Sequence, residues 1–66
     1  MSLTVGEVLE NAEYNINNAA IPLQAELGRQ QLRNYKIAKE LGADDDDDWY
    51  KWEEKVEKYK KENGVS

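Results

Sequence analysis

The chain has 66 residues and a formal net charge of −5, and it contains neither cysteine nor histidine. This composition excludes disulfide bonds and zinc sites built on thiolates or imidazoles, and it argues against binding to a nucleic-acid backbone, which needs clustered lysine and arginine. A chain of this size forms one domain whose core rarely supplies more than about 3 to 5 kcal/mol. We therefore expect one small helical domain over residues 1–66, stabilised by oligomerisation or by tight helix packing.

The same composition bears on location and chemistry. No stretch reaches the roughly 18 apolar residues that a membrane span needs, and the N-terminal residues lack the pattern of a signal peptide. Without histidine or cysteine, catalysis would depend on carboxylates, lysine, tyrosine or serine in a pocket, for which so short a chain has little interior. We expect a cytoplasmic protein that is not an enzyme, with no catalytic residue, cofactor, metal, membrane partner or direct nucleic-acid partner.

The first predicted element is a helix that begins at about Val5. Thr4 and Glu7 have the spacing of a capping box, in which the hydroxyl and the carboxylate each accept a hydrogen bond from a free amide of the first turn. Leu3 and Val8 stand where a hydrophobic staple would bridge this cap. These local signals fix the start of the helix.

The end of that helix is ambiguous, because one apolar stripe keeps the same helical phase from residue 5 to residue 41 across Pro22. Phase continuity favours one long helix over residues 5–41 that is kinked at Pro22, where water can satisfy the freed carbonyl. In the alternative, Asn18 caps a second helix with Pro22 in its first turn, and Ile21 is pushed out of the helical region. We favour the kinked helix and keep a three-helix bundle with a break at 18–22 as the alternative.

The kinked helix would leave the first half of the stripe uncovered, because the C-terminal segment is too short to reach it. That half would then be buried against another subunit in an oligomeric helical bundle, whereas in the three-helix alternative it folds back within one chain. The predicted oligomer interface consists of apolar stripe residues: Val5, Val8, Leu9, Ala12, Ile16 and Leu23.

Polar side chains interrupt the middle of the stripe and line its neighbouring face. Buried Asn or Gln in a helix seam can fix register or oligomer number, and this structural role is the one we favour. Recognition of a small ligand or of an acidic partner is the alternative. The candidate contacts to a partner or ligand, including one aromatic residue outside the seam, are Arg29, Gln30, Arg33, Asn34 and Tyr50.

Gly42 after Leu41 predicts the end of the helix, and residues 43–48 form an acidic linker with five consecutive aspartates. The run does not fit a calcium-binding loop, because Trp49 stands at the glycine position and Lys55 at the bidentate glutamate position. We interpret it as a linker whose last aspartates cap the next helix. Cation binding and docking of a basic partner are the alternatives.

The last element is a short helix over about residues 48–63, with apolar residues at a 3-4-3 spacing. A short linker makes neighbouring helices antiparallel, so this helix would pack against the preceding one. Its aromatic residues follow a run of negative charge, which favours a role in the core over stacking on nucleobases. The predicted hairpin core is Leu27, Ile37, Ala38, Leu41, Trp49, Trp52, Val56 and Tyr59.

The fold class expected from the sequence is therefore all-α, with a long kinked helix and a short antiparallel C-terminal helix. The function that we favour from the sequence is that of a homo-oligomer that binds another protein, as an accessory, assembly or inhibitor factor of the kind that a phage encodes. One alternative is an acidic decoy that mimics nucleic acid and inhibits a DNA-binding protein. Another is an oligomer that encloses a small ligand near Gln30, Arg33 and Asn34.

Overall fold

A computed structural model describes residues 3–64. It places three helices in this range: α1 is Val5–Asn17, α2 is Pro22–Glu40 and α3 is Trp49–Glu62. The range contains no β-strand, and an isolated bridge pairs Thr4 with Asp48. No helix within residues 3–64 combines the length and apolar character needed to cross a bilayer. The predicted all-α class is confirmed.

The start of α1 is also confirmed. The Thr4 hydroxyl accepts a hydrogen bond from the Glu7 amide at 3.2 Å, and the Glu7 carboxylate accepts one from the Thr4 amide at 2.9 Å. Each side chain thus satisfies an amide that the helix itself leaves unpaired.

The prediction of a long kinked helix is wrong, because α1 ends at Asn17 and α2 begins at Pro22. The backbone amide and the side-chain amide of Asn18 both donate to the Tyr14 carbonyl oxygen, which terminates α1. Ile21 is extended, with φ −136° and ψ 154°, as the steric demand of the following proline requires. This local constraint outweighs the continuity of the apolar stripe, and the chain adopts the three-helix alternative.

Helices α1 and α2 form an antiparallel hairpin with a close approach at Gly28. A Cβ atom at Gly28 would lie 2.8 Å from Ile16 Cγ1 and 2.9 Å from the Ala12 carbonyl oxygen. Beside it, the Asn15 side-chain amide donates to Gln31 Oε1 at 2.7 Å. The missing side chain at Gly28 therefore sets how closely the two helices pack.

The core lies at the open end of this hairpin, where the start of α1, the end of α2 and the start of α3 meet. Helix α3 runs back along the C-terminal half of α2, and Lys60 near its end donates to Asn34 Oδ1 at 2.9 Å. The buried apolar cluster comprises Val5, Val8, Ile37, Ala38, Ala43, Trp49 and Val56.

Chain reversal at residues 18–21 changes the environment of the predicted oligomer interface. Val5, Val8 and Ala12 are at most 4% exposed, so they belong to the interior of the single chain. Leu9 and Ile16 are half-buried, whereas Leu23 is 70% exposed. The hairpin is the cause, because α2 covers the surface that one long kinked helix would expose.

The predicted hairpin core also needs correction at two positions. Ile37, Ala38, Trp49 and Val56 are buried, and Trp52 and Tyr59 pack against them as partly buried residues. Leu27 is 50% exposed and Leu41 is 39% exposed. Leu27 lies on α2 before the part that α3 covers, and Leu41 follows the end of α2 at the edge of its contact with α3.

Candidate functional site

One face of α2 is only half covered. Residues spaced three or four apart along a helix share one face, and this face of α2 extends from the residues that contact α3 back to the start of the helix. Ile37 and Asn34 lie under α3, and Ile37 is only 6% exposed. Toward the start of α2, Leu23, Leu27 and Gln30 lie on the same face and are exposed. We call Leu23, Leu27 and Gln30 the open α2 face.

The open α2 face exists because the two helices differ in length. Helix α2 has 19 residues and α3 has 14, which correspond to about 28 Å and about 21 Å. Helix α3 starts near the end of α2 and contacts Asn34 through Lys60, close to its own end. The first turns of α2 therefore have α1 on one side and solvent on the other.

Charged side chains border the open α2 face. A shallow depression on α2 is lined by Pro22, Glu26, Arg29, Gln30 and Arg33. Three of the predicted contact residues, Arg29, Gln30 and Arg33, are thus brought together. Asn34 does not line this depression and instead accepts a hydrogen bond from Lys60 of α3. Tyr50 lies on α3 with 61% of its surface exposed.

The acidic linker is a structural element that docks on the start of α1. The backbone carbonyls of Asp45 and Asp47 accept hydrogen bonds from the amides of Gly6 and Val5, each at 2.9 Å. These amides belong to the first turn of α1 and would otherwise lack partners. A Cβ atom at Gly6 would lie 3.2 Å from Asp45 Cβ. The spacing of the side chains does not predict this docking, and the glycine in the first turn of α1 is its only local signal in the sequence.

The aspartate carboxylates hold the loop together. Asp47 Oδ2 accepts from the Asp44 amide at 2.9 Å and from Trp52 Nε1 at 3.1 Å. Asp48 Oδ1 accepts from the Tyr50 amide and caps α3, as predicted. Among residues 3–64, no three acidic side chains are grouped so as to hold a metal ion. The linker and cap interpretation accounts for these contacts.

Asp45 also connects the loop to α2. Its Oδ1 accepts a hydrogen bond from the Tyr35 hydroxyl at 3.0 Å and lies 3.3 Å from Lys39 Nζ. The hydrogen bond to Asp45, followed by partial burial, raises the pKa of Tyr35 above its usual value of 10.0. The hydrogen bond to Asp45 likewise raises the pKa of Lys39 above 10.5. The folded state thus favours the protonated form of both groups.

This arrangement predicts a loss of stability in alkali. A group whose pKa is higher in the folded state contributes fully below its unfolded-state pKa, and that contribution is lost as the pH rises through the folded-state pKa. For Tyr35 and Lys39 the loss begins above about pH 10. We expect urea unfolding to show a shallower alkaline decline in Tyr35→Phe, and a shallower one still in Asp45→Asn, which removes the charge acting on both groups. Unchanged alkaline slopes in both variants would contradict this coupling.

A second depression lies between the end of α2 and α3. Its apolar lining is Leu41, Trp52 and Tyr59, and its charged lining includes Lys55 and Lys58. Lys55 Nζ lies 4.6 Å from the centre of the Trp52 ring. We call these five residues the α3 groove. Its apolar residues were predicted to belong to the hairpin core, and no pattern in the sequence distinguishes its two lysines from the other charged residues of α3.

Both surfaces are open to solvent, and across residues 3–64 no polar or charged residue is buried. What they offer is exposed apolar area bordered by charged side chains, an arrangement suited to contact with another macromolecule. No protein-family model matches the chain, and neither the curated proteins nor the solved structures contain a significant match to it.

Proposed function

We propose that the protein is a non-enzymatic helical module that self-associates through the open α2 face and acts as an accessory, assembly or inhibitor factor for another protein. The observation that carries this proposal is the exposure of Leu23 at 70% and Leu27 at 50%, one helical turn apart. Fully burying a leucine side chain contributes roughly 1.5 to 3 kcal/mol. A symmetric dimer would bury both leucines of each copy.

Charge supports a second copy as the occupant. Along the border of the open α2 face, Glu26 precedes Arg29 and Arg33. If two α2 helices pair antiparallel about a two-fold axis near Leu27, Glu26 of each copy faces an arginine of the other copy. The same surface is then complementary to itself, as a two-fold interface requires.

The test is the oligomeric state across a dilution series, measured by light scattering after size exclusion. We expect a dimer at high micromolar concentration that dissociates on dilution, and a Leu23→Glu/Leu27→Glu variant that stays monomeric with unchanged helical circular dichroism. The matched control is Tyr14→Glu/Tyr50→Glu, which adds the same charge at equally exposed positions and should dimerise normally. A monomer at every concentration, or a dimer that survives the leucine substitutions, would refute self-association through this face.

The two alternative functions receive less support from the geometry. A nucleic-acid mimic needs free carboxylates, but those of Asp45, Asp47 and Asp48 accept hydrogen bonds within the chain. A ligand site between subunits at Asn34 would compete with the hydrogen bond from Lys60. We therefore assign the acidic loop a structural role and the open α2 face the functional one.

A further inference from the structure

The α3 groove is a second surface, at the opposite end of α2 from Leu23 and Leu27. Its apolar side is formed by Leu41, which is 39% exposed, and by the partly buried rings of Trp52 and Tyr59. The Trp52 ring is held by the hydrogen bond from its Nε1 to Asp47 Oδ2. The groove is therefore preorganised, because its largest aromatic ring is fixed before any partner binds.

Lysines outnumber acidic side chains in the lining of this groove, although the whole protein is acidic. The chain carries a net charge of −5, yet Lys51, Lys55 and Lys58 follow a helical spacing of four and then three residues, so they share one strip of α3. Glu53 and Glu57 fall on the other side of the helix. Glu62 also lines the groove, where it is paired with Lys58. Helix α3 thus presents a basic strip next to an aromatic floor.

Lys55 and Lys58, the lysines at the rim of the groove, make only weak contacts that a partner can replace. Lys58 Nζ lies 3.9 Å from the Glu62 carboxylate, and the two side chains are 79% and 63% exposed. Lys55 lies over the face of Trp52 and is also exposed. An exposed ion pair of this kind is weak, so an incoming carboxylate can replace it.

We propose that the α3 groove binds an acidic peptide segment of another protein. An apolar side chain of that segment packs between Leu41, Trp52 and Tyr59, and the carboxylates on either side of it contact Lys55 and Lys58. Charge complementarity selects the acidic segment, and the aromatic floor supplies the apolar contact typical of interface hot spots. This proposal is independent of self-association through the open α2 face.

The experiment follows the two indole N–H signals by nuclear magnetic resonance during titration with a capped peptide, Asp-Asp-Leu-Asp-Asp. We expect a saturable shift of the Trp52 signal with little change at Trp49, which is 7% exposed and serves as the internal control. The peptide Lys-Lys-Leu-Lys-Lys should produce no saturable shift. Absence of a Trp52 shift, or an equal shift with the basic peptide, would overturn the proposal.

Reversing the charge of Lys55 and Lys58 then tests whether these two lysines bind the acidic peptide. Lys55→Glu/Lys58→Glu should weaken binding of the acidic peptide by about tenfold or more, with unchanged circular dichroism. The matched control, Lys36→Glu/Lys61→Glu, makes the same change in net charge at exposed positions outside the groove and should bind normally. An equal loss in both variants would reduce the effect to net charge and overturn the site. A Trp52 signal that moves with protein concentration alone, before peptide is added, would identify the aspartate loop of a second copy as the occupant and overturn the peptide assignment.

Discussion

Replacing Trp49 with alanine is expected to leave the chain largely unfolded at room temperature. Trp49 is 7% exposed and belongs to the buried cluster that joins all three helices. Truncating a buried tryptophan costs about 3 to 5 kcal/mol, which equals the stability that a core of this size commonly provides. Far-ultraviolet circular dichroism with urea titration would show the loss as a low helical signal without a cooperative transition.

The neighbouring aromatic residue provides the control for this substitution. Tyr50 is 61% exposed, and its backbone amide can donate to Asp48 whatever its side chain. Tyr50→Ala should therefore change the free energy of unfolding by no more than about 0.5 kcal/mol. If the two variants were equally stable, Trp49 would not hold the helices together as the structure indicates.

Gly28→Ala is expected to destabilise the protein by about 1 to 3 kcal/mol. In an exposed helix the same substitution would stabilise by about 1 kcal/mol, because alanine is the better helix former. The sign reverses here because the new methyl group would lie 2.9 Å from the backbone oxygen of Ala12, which has little freedom to move. Urea unfolding monitored by circular dichroism measures the difference.

Glu26→Ala is the matched control for Gly28→Ala, since Glu26 is exposed on the same helix. We expect its free energy of unfolding to stay within about 0.5 kcal/mol of the parent protein. A neutral or stabilising Gly28→Ala would mean that α1 does not pack against α2 at this position. That result would favour the long kinked helix over the hairpin.

The sequence by itself determined the features that depend on neighbouring residues. The capping box at Thr4 and Glu7, the cap at Asp48 and the helix end before Gly42, whose φ is +107°, all involve groups a few residues apart. The seam of α3 also follows from spacing, with Trp49 and Val56 buried. Such signals are visible in a sequence because their geometry is complete within one or two helical turns.

The tertiary structure decided which part of the apolar stripe is buried. Helical periodicity is identical for a kinked helix and for a hairpin, so the stripe by itself could not place Val5 in the core and leave Leu23 exposed. The α3 groove was also not predictable from the sequence, because Leu41 and Lys58 become neighbours only when α3 folds back along α2.

Docking of the aspartate loop on the start of α1 was decided in the same way. The backbone oxygens of Asp45 and Asp47 meet the amides of Gly6 and Val5 across some forty residues of chain. Backbone hydrogen bonds over such a separation do not depend on particular side chains, so the sequence shows almost no pattern that predicts them. They form here because the hairpin returns the chain to the start of α1, where free amides need acceptors.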